Sequence, residues 1–384
     1  EAALKRGDKI DMHDYPVTFF LKDEIVSYEK HRTGNTRPIF GVGLDVLLLF
    51  RKYFGGWLAA VHSNFRSSPI SVGVNPHSSD WEKVWQNVLG DGRRYFAGDF
   101  KAFDKTVPTR LVTEAMRIIC LWYGGGYEHP DNLIRMRLIP FLTQWIVNVF
   151  QLDIEASFYG PSGWPCTAEF NTLLVLIIAY AIFREKAYKY VNAAFDAGVC
   201  AREFVREIGK IMYGDDHVIG VPPKYQEHYN AIVFTQACKE LFDMEYTTAK
   251  KGVYNVPFDP IEDLTFLKRE HVRSHGLVLA PLNIDSIRNS VMWRSADQPP
   301  EIATFMAVMS GLHELFHHGR EVFNEHHSMW MRRLVEEDVS PVILREMRTL
   351  SYDYFNAKYR NATYLTSHEY DRVTKAYWGS PRSA

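Results

Sequence analysis

The chain has 384 residues, of which 46% are hydrophobic and 14% aromatic, and its formal net charge is −2. This composition predicts a folded chain with a large core in about two or three subdomains, and the near-neutral charge excludes a basic nucleic-acid coat protein. Any binding of nucleic acid therefore requires positive charge concentrated at one place. The four cysteines are dispersed without a CxxC pair, which argues against a zinc module or a disulfide framework. The most apolar run, residues 173–183, is too short to span a bilayer, so no transmembrane segment is expected.

Short apolar runs broken by turn clusters fill residues 1–92. The predicted elements that follow are a strand at 93–100, a helix at 109–123, a helix at about 132–150, a long apolar helix at about 166–191, a hairpin at 208–221, a helix near 224–243, a hairpin candidate at 264–272 and helices from about 285 onward. Strands interleaved with helices and followed by a helical tail predict an α+β fold with a separate α-helical C-terminal part.

Two adjacent carboxylates, Asp215 and Asp216, lie between two apolar runs that are typical of strands. Gly214 before them suits a tight hairpin, because glycine accepts the positive φ that the first central position of a type II′ turn requires. Two like charges at a hairpin tip repel each other unless a cation lies beside them. A solvated acidic turn is the alternative interpretation of this stretch taken alone.

A second acidic cluster supports the metal interpretation. Asp99 closes a predicted strand, and Asp104 follows five residues later. If this strand neighbours the Gly214 hairpin in one sheet, Asp99 lies level with Asp215 and Asp216. Three carboxylates at one place form an oxygen-rich site of the kind that Mg²⁺ prefers. Two such ions about 4 Å apart can activate an attacking hydroxyl and stabilise a leaving oxygen.

The ordered motifs of the chain resemble those of viral RNA-dependent RNA polymerases, specifically the picornavirus-like group. The matching segments are DFKAFD (99–104, motif A), GPSGWPCTAEFN (160–171, motif B), YGDD (213–216, motif C), TTAKKG (247–252, motif D), FLKR (266–269, motif E) and FLKDEIVSYEKHRTGNTRPIF (20–40, motif F). The resemblance implies a right-hand polymerase: partial fingers in 1–92, a palm with an RRM-like antiparallel sheet in 93–270, a fingers insertion near 125–160, and an α-helical thumb in 271–384. It implies RNA-directed RNA synthesis, with nucleotidyl transfer from an NTP to an RNA 3′-hydroxyl during replication of a viral genome.

The resemblance also assigns roles at the catalytic centre. Asp99 and Asp215 are implied as the principal ligands of two Mg²⁺ ions, with Asp216 beside them and Mn²⁺ as a substitute metal. Lys251, or its neighbour Lys250, is implied as the proton donor to the leaving pyrophosphate. The implied ribose pocket consists of Asp104, Ser162, Thr167 and Asn171.

Further implied contacts involve the triphosphate and RNA. Lys22, Lys30 and Arg37 are implied to contact the incoming triphosphate, where positive charge neutralises the phosphates. Gly163, together with Ser162, is implied to form a loop that flexes as the template translocates. The residues implied to support the primer strand are Leu267, Lys268 and Arg269.

The sequence departs from the family pattern in motif F. Val26 stands where an arginine is common and Asn35 where a lysine is common, which weakens the expected phosphate grip unless His31 or Arg32 compensates. The index-finger segment and motif G, which precede motif F in the family, are absent. We therefore expect incomplete fingers, and weak or non-processive synthesis by these 384 residues alone.

The histidines of HELFHH (313–318) and EHH (325–327) raise a metal interpretation, because His313 and His317 are one helical turn apart. They lack an acidic or thiolate partner in a recognisable metal pattern, which favours exposed residues on a thumb helix.

Two rival functions remain for the acidic motifs. Reverse transcriptases share the palm and a Y-x-D-D turn, but they commonly carry a bulky aromatic residue where Asp104 stands and lack the Ser162-Gly163…Asn171 spacing. A catalytically weak RNA-binding fragment is the other alternative, against which the intact carboxylates argue. The partners implied by the resemblance are an RNA template and primer, NTPs, a small protein primer and other viral replication proteins. The implied location is the host cytoplasm, at membrane-associated replication complexes.

Overall fold

The structure is a computed structural model that describes residues 1–24, 26, 28–34, 36–149, 152–160, 163–249, 251–274, 276–294 and 296–361. Its contacts divide the chain into two compact units. The first unit holds Glu1–Gly73 and Asn87–Asp259, and the second holds Val74–Gln86 and the chain from Pro260 onward. The predicted boundaries of fingers, palm and thumb are functional subdivisions that this division does not test, and they stay predictions.

The elements of the described chain are helices and short strands in mixed order. The helices are α1 (Ala2–Arg6), α2 (Tyr28–Arg32), α3 (Leu44–Ser63), α4 (Asp80–Gln86), α5 (Phe103–Thr106), α6 (Thr109–Tyr123), α7 (Pro130–Arg137), α8 (Ile139–Thr143), α9 (Thr167–Ile182), α10 (Lys189–Val191), α11 (Ala197–Arg206), α12 (Ala231–Phe242), α13 (Ile284–Val291), α14 (Pro300–Leu315), α15 (Arg320–Glu336), α16 (Pro341–Thr349) and α17 (Tyr352–Arg360). The strands are β1 (Val17–Leu21), β2 (Pro38–Gly41), β3 (Arg94–Phe100), β4 (Trp145–Val149), β5 (Leu152–Ala156), β6 (Gly209–Tyr213), β7 (Asp216–Val221), β8 (Tyr246–Thr248), β9 (Val272–Ser274) and β10 (Leu277–Leu279). This content is α+β, as predicted.

An antiparallel sheet with strand order β6-β7-β3-β8 lies in the first unit. β6 and β7 form the predicted hairpin, with Tyr213 paired to Asp216, and β3 lies against β7 with Gly98 paired to His217. β8 continues the sheet on the other side of β3, where Asp99 pairs with Thr247. The inner strands are buried on both faces, which explains their nearly continuous apolar sequence.

A second sheet in the first unit has the order β2-β1-β4-β5. It joins β1 and β2, at the two ends of motif F, to β4 and β5, where β4 pairs in parallel with β1 and antiparallel with β5. The predicted helix at about 132–150 is therefore wrong in its second half. Helix α7 ends at Arg137 and α8 ends at Thr143. The run from Trp145 to Val149 pairs as a strand, because tertiary pairing with β1 overrides the local pattern.

Helix α9 is the central element of the first unit, with Leu174, Val175 and Ile178 fully buried. A π-helical turn, Phe183–Tyr188, continues it into α10, so that Thr167–Val191 forms one stretch of 25 residues. By length and composition this stretch is long and apolar enough to cross a membrane. The sequence prediction, which counted only the apolar run at 173–183 and found it too short to span a bilayer, was therefore wrong about the length of the apolar stretch. Of the most apolar part of this stretch, 61% is buried inside the fold, as is typical of a core helix in a folded domain.

The second unit is mainly helical from α13 onward, as predicted for the C-terminal part. Its core contains Phe305 and Leu312 of α14, Ile343 of α16 and Phe355 of α17. The hairpin candidate at 264–272 is reduced to a two-residue turn in which Phe266 and Arg269 exchange backbone hydrogen bonds.

Candidate active site

The carboxylates at the end of the first sheet are brought together by strand register. Gly214 has φ +62°, and Asp215 does not have a positive φ. Both observations agree with the predicted type II′ turn, in which only the first central residue has a positive φ. Since Gly98 pairs with His217, the next step along the same ladder brings Asp99 opposite Asp216. Asp99, Asp215 and Asp216 are all half-buried at this end of the sheet.

The electrostatics of this cluster favour a cation. Burial raises the pKa of the Asp215 carboxyl, and the nearby Asp99 carboxylate raises it further. Burial also raises the pKa of Asp104, to which the charge of Asp215 contributes, while a hydrogen bond from Asn171 acts in the opposite direction. A cation placed among these groups relieves their repulsion, because an opposite charge stabilises the ionised form of each.

A buried histidine supports the hairpin from behind. The His217 Nδ1 atom lies 2.8 Å from the Asp215 carbonyl oxygen, and its Nε2 atom lies 2.9 Å from the Tyr246 hydroxyl. Burial lowers the pKa of His217 to about 4, so the ring is neutral near pH 7. Since a carbonyl only accepts, the proton is on Nδ1, and Nε2 accepts the hydrogen bond from Tyr246. Gly98 makes room for Tyr246, because a Cβ atom there would lie 2.3 Å from the tyrosine ring.

A threonine of α9 holds the turn from the other side. The Gly214 amide donates a hydrogen bond of 2.7 Å to Oγ1 of Thr172, which is fully buried and itself donates to the Ala168 carbonyl. Sequence reasoning missed Thr172, His217 and Tyr246. The adjacency of Thr172 to Asn171 and of His217 to Asp216 was the only available signal.

The predicted ribose residues form a hydrogen-bonded chain. Asn171 donates from Nδ2 to Oδ1 of Asp104 at 3.2 Å and accepts at Oδ1 from the Tyr159 hydroxyl at 2.7 Å. Asn171 is only 7% exposed, so its amide holds Asp104 in place more than it faces a substrate. Thr167 begins α9 one turn before Asn171 and donates to the Trp164 carbonyl. Tyr159 was not predicted.

Two other predicted motif B residues have different outcomes. Ser162 lies outside the described residues. The Gly163 amide donates to the Phe40 carbonyl at 2.9 Å, and a Cβ at Gly163 would lie 2.2 Å from that same oxygen. Glycine at this position therefore lets the loop pack directly on the β2 backbone, whatever its predicted contact with RNA.

The basic residues of motif F surround an acid that sequence reasoning missed. The Arg37 guanidinium binds both carboxylate oxygens of Glu24, with 2.7 Å from Nε to Oε1, and the Lys22 ammonium lies 3.6 Å from Oε2. Arg37 lowers the pKa of Glu24 to about 2. Lys30, His31 and Arg32 are exposed on α2, Val26 is half-buried, and Asn35 lies outside the described residues. Two of the three predicted triphosphate contacts thus already have an anionic partner.

The predicted general acid lies on a turn after β8. Lys251 is exposed, has φ +63°, and donates from its amide to the Thr248 carbonyl. Lys251 comes four residues after Thr247, which pairs with Asp99 across the β3–β8 ladder. Lys250 lies outside the described residues.

In the second unit, the motif E residues form a tight hairpin tip. Leu267 and Lys268 have φ +54° and +60°, which is costly for residues other than glycine and is common at functional sites. Lys268 is exposed. Arg269 is 9% exposed, and its guanidinium donates to both oxygens of Glu314 and to the Ala280 carbonyl. Arg269 therefore anchors the hairpin through an internal ion pair, and its support of a primer stays a prediction.

The prediction that the thumb histidines are exposed is wrong for His313, His317 and His326, which are 6%, 2% and 3% exposed. His77 stacks on His313 at 3.8 Å, and its Nδ1 atom lies 2.9 Å from His317 Nε2. Burial lowers the pKa of His313 to about 3. His77 is distant in sequence, so this packing was not visible in the histidine pattern. Within the described ranges, no group of three or more His, Cys, Asp and Glu side chains is placed so that it could hold a metal ion by itself.

Comparisons with known proteins give consistent matches. Residues 8–335 match the family model described as "Viral RNA-dependent RNA polymerase". The chain is 26% identical over 367 residues to the replicase polyprotein of Cricket paralysis virus, covering 91% of this chain and 20% of that protein. It is 28% identical over 312 residues to the genome polyprotein of Rice tungro spherical virus (strain A), covering 79% and 9%. The chain thus spans a fifth or less of these two relatives.

Among solved structures, the chain is similar to one titled "Sicinivirus 3Dpol RNA dependent RNA polymerase", with a TM-score of 0.69. The match covers 93% of this chain and 68% of that chain at 19% sequence identity. At that identity, the likeness shows the fold.

Proposed function

The chain belongs to the viral RNA-dependent RNA polymerase family, and from that premise we propose that it catalyses template-directed RNA synthesis. The reaction is the transfer of a nucleotide from an NTP to the 3′-hydroxyl of an RNA strand. The family and the α+β right-hand polymerase fold predicted from the motifs are confirmed. The observation that carries the proposed activity is the register that sets Asp99 level with the Asp215–Asp216 turn, next to the Asp104–Asn171 pair.

Polymerases of this family use divalent metal ions. We propose two Mg²⁺ ions here, held by Asp99 and Asp215 with Asp216 beside them. The donor set fits, because the cluster consists of carboxylate oxygens and Mg²⁺ is commonly bound by one or two carboxylates plus substrate phosphates. Since no group of three or more such side chains among the described residues could hold an ion alone, substrate phosphates are needed as further ligands. When bound, two such ions activate the attacking hydroxyl and stabilise the leaving oxygen.

The residues around the carboxylates then have separate tasks. Asp104 accepts a hydrogen bond from the ribose 2′-hydroxyl, while Asn171 and Tyr159 hold its carboxylate in position. Lys22, Lys30 and Arg37 neutralise the triphosphate, which requires Arg37 to exchange Glu24 for phosphate oxygens. Lys251, with Lys250 as the competing candidate, protonates the leaving pyrophosphate.

We propose RNA template, RNA primer and NTPs as the partners of this chain, with Lys268 at the motif E tip contacting the primer backbone. A small protein primer, other viral replication proteins, and a location in the host cytoplasm at membrane-associated replication complexes are further proposals. They rest on the family and not on a feature of these residues.

Primer extension on a homopolymer template tests the proposed function. We expect incorporation of rNTP in the presence of Mg²⁺ and much slower incorporation of dNTP. Preferred use of dNTP would favour the reverse transcriptase alternative. RNA binding without incorporation would favour the catalytically weak RNA-binding alternative.

A further inference from the structure

A cavity of about 470 Å³ lies in the first unit, away from the hairpin turn. Its apolar wall comes mainly from three helices, with Ile118 of α6, Leu173, Leu176 and Ile177 of α9, and Phe204 of α11. Ser67, Ser68, Pro69 and Asn87 line it as well. The volume is within the range of about 300–1,000 Å³ that small-molecule sites occupy. Such a cavity admits an apolar chain of modest length.

Two apolar residues of the cavity lining are exposed. Val205 is 70% exposed and Ile118 is 43% exposed, and both line the cavity. Exposed apolar residues that line a cavity lose water contact when an apolar ligand covers them, which favours binding.

The charged residues that line the cavity all have the same sign. They are Arg93, Arg206 and Lys210, and no aspartate or glutamate is among the described lining residues. Arg206 is the last residue of α11, and the side chains of Arg93 and Lys210 donate to carbonyls at the same end of that helix. The Lys210 ammonium donates to the Phe204 and Ile208 carbonyls at 2.7 Å, and Arg93 donates to the Glu207 carbonyl at 2.9 Å.

Those carbonyls, together with the Val205 carbonyl at 3.4 Å from the Lys210 ammonium, supply partial negative charge but no full anion. Lys210 is 5% exposed, and within the described part of the chain none of the three basic residues forms an ion pair. Burial and the charge of Arg93 lower the pKa of Lys210 to about 7, as expected for an ammonium without a counter-ion. An anion at this end of the cavity would supply the missing countercharge.

We propose that this cavity binds a single-chain amphiphilic carboxylate of the fatty-acid class. The apolar chain lies along Leu173, Leu176 and Ile177, and the carboxylate faces Arg93, Arg206 and Lys210. Lys210 stands near the start of β6, whereas the Gly214–Asp215 turn follows its end, so this site is separate from the catalytic carboxylates.

Displacement of a dansylated undecanoic acid by sodium decanoate, measured by fluorescence on the 384-residue chain, tests the proposal. Affinity should rise about fourfold for each methylene added between hexanoate and decanoate, because each is removed from water. Decanol, which has the same chain without the charge, should bind at least about tenfold more weakly than decanoate.

Variants locate the site. Arg206→Glu reverses an exposed charge at the cavity and should weaken decanoate about tenfold, whereas Arg202→Glu makes the same change one turn earlier on α11, outside the lining, and should leave binding unchanged. Ile177→Trp fills the cavity and should abolish binding. Equal decanoate affinity in Arg206→Glu and Arg202→Glu, or equal affinity for decanol, overturns the proposal. Binding to phosphatidylserine vesicles without displacement by decanoate also overturns it, because the anion would then be recognised on the surface.

Discussion

Replacing Thr172 with valine removes one hydroxyl that joins α9 to the Gly214–Asp215 turn. Oγ1 lies 2.7 Å from the Gly214 amide, and valine has nearly the same shape, so the change leaves little cavity. The Ala168 carbonyl keeps its helical partner, and the main loss is the partner of the Gly214 N–H. An amide left without its hydrogen bond costs about 1–3 kcal/mol.

Thr172→Val should also lower activity, because the turn that this hydroxyl holds carries Asp215. A misplacement of about 1 Å in a catalytic group can reduce the rate about 100-fold. We therefore expect Thr172→Val to lower the single-turnover incorporation rate between about tenfold and 100-fold, with little change in RNA affinity. Thr172→Ser keeps the hydroxyl and should retain most of the rate.

Two measurements check this reasoning. Amide hydrogen exchange at Gly214 should become faster in Thr172→Val and stay slow in Thr172→Ser. Single-turnover extension of a labelled primer reports the chemical step directly. Unchanged exchange at Gly214 together with a wild-type rate in Thr172→Val would refute the role assigned to this hydrogen bond.

Three other changes test neighbouring parts of the account. Asp104→Ala should reduce the preference for ATP over dATP in kcat/KM, by a factor that corresponds to about 1–3 kcal/mol for a lost hydrogen bond. Asn171→Ala should change this ratio in the same direction. An unchanged ratio in both variants would show that neither residue recognises the ribose. Glu24→Gln should lower the KM for NTP roughly twofold to fivefold by freeing Arg37, with kcat unchanged, and a raised KM would mean that Glu24 instead pre-positions Arg37. Because the folded pKa of His217, about 4, lies below the unfolded value of about 6.5, its contribution to stability is present above pH 6.5 and is lost as pH falls toward 4, by up to about 3 kcal/mol. Urea unfolding of His217→Gln should show a smaller loss over that interval than the wild type, and an equal loss would assign the effect to His271 and His313, whose pKa values are also lowered.

The parts of the site that could be predicted from sequence are those fixed by local chemistry. Gly214 before two aspartates in an apolar context predicts the hairpin, and the strand that ends at Asp99 is visible from its own residues. Their adjacency required the additional assumption that the two strands share a sheet. The residues of the two strands do not supply that assumption, and the observed register agrees with it.

The parts that were missed depend on partners far away in the chain. Residues 145–149 look helical in isolation and become a strand because β1 pairs with them. His313 and His317 look exposed until His77 packs on them. Glu24 and Arg269 show the same limitation for charges, since sequence reveals a basic residue but not the carboxylate that already binds it.

The most direct test of the central claim is nucleotide incorporation by Asp215→Asn. This change keeps the size of the side chain and removes the charge that we assign to metal binding. We predict a loss of about 10³-fold or more in single-turnover rate for every NTP, with RNA affinity unchanged, because loss of a metal ligand impairs both activation of the hydroxyl and departure of pyrophosphate. Asp91→Asn, at an exposed aspartate just before β3, is the matched control and should keep the wild-type rate. A near-normal rate in Asp215→Asn would contradict the assignment of these carboxylates as the catalytic centre.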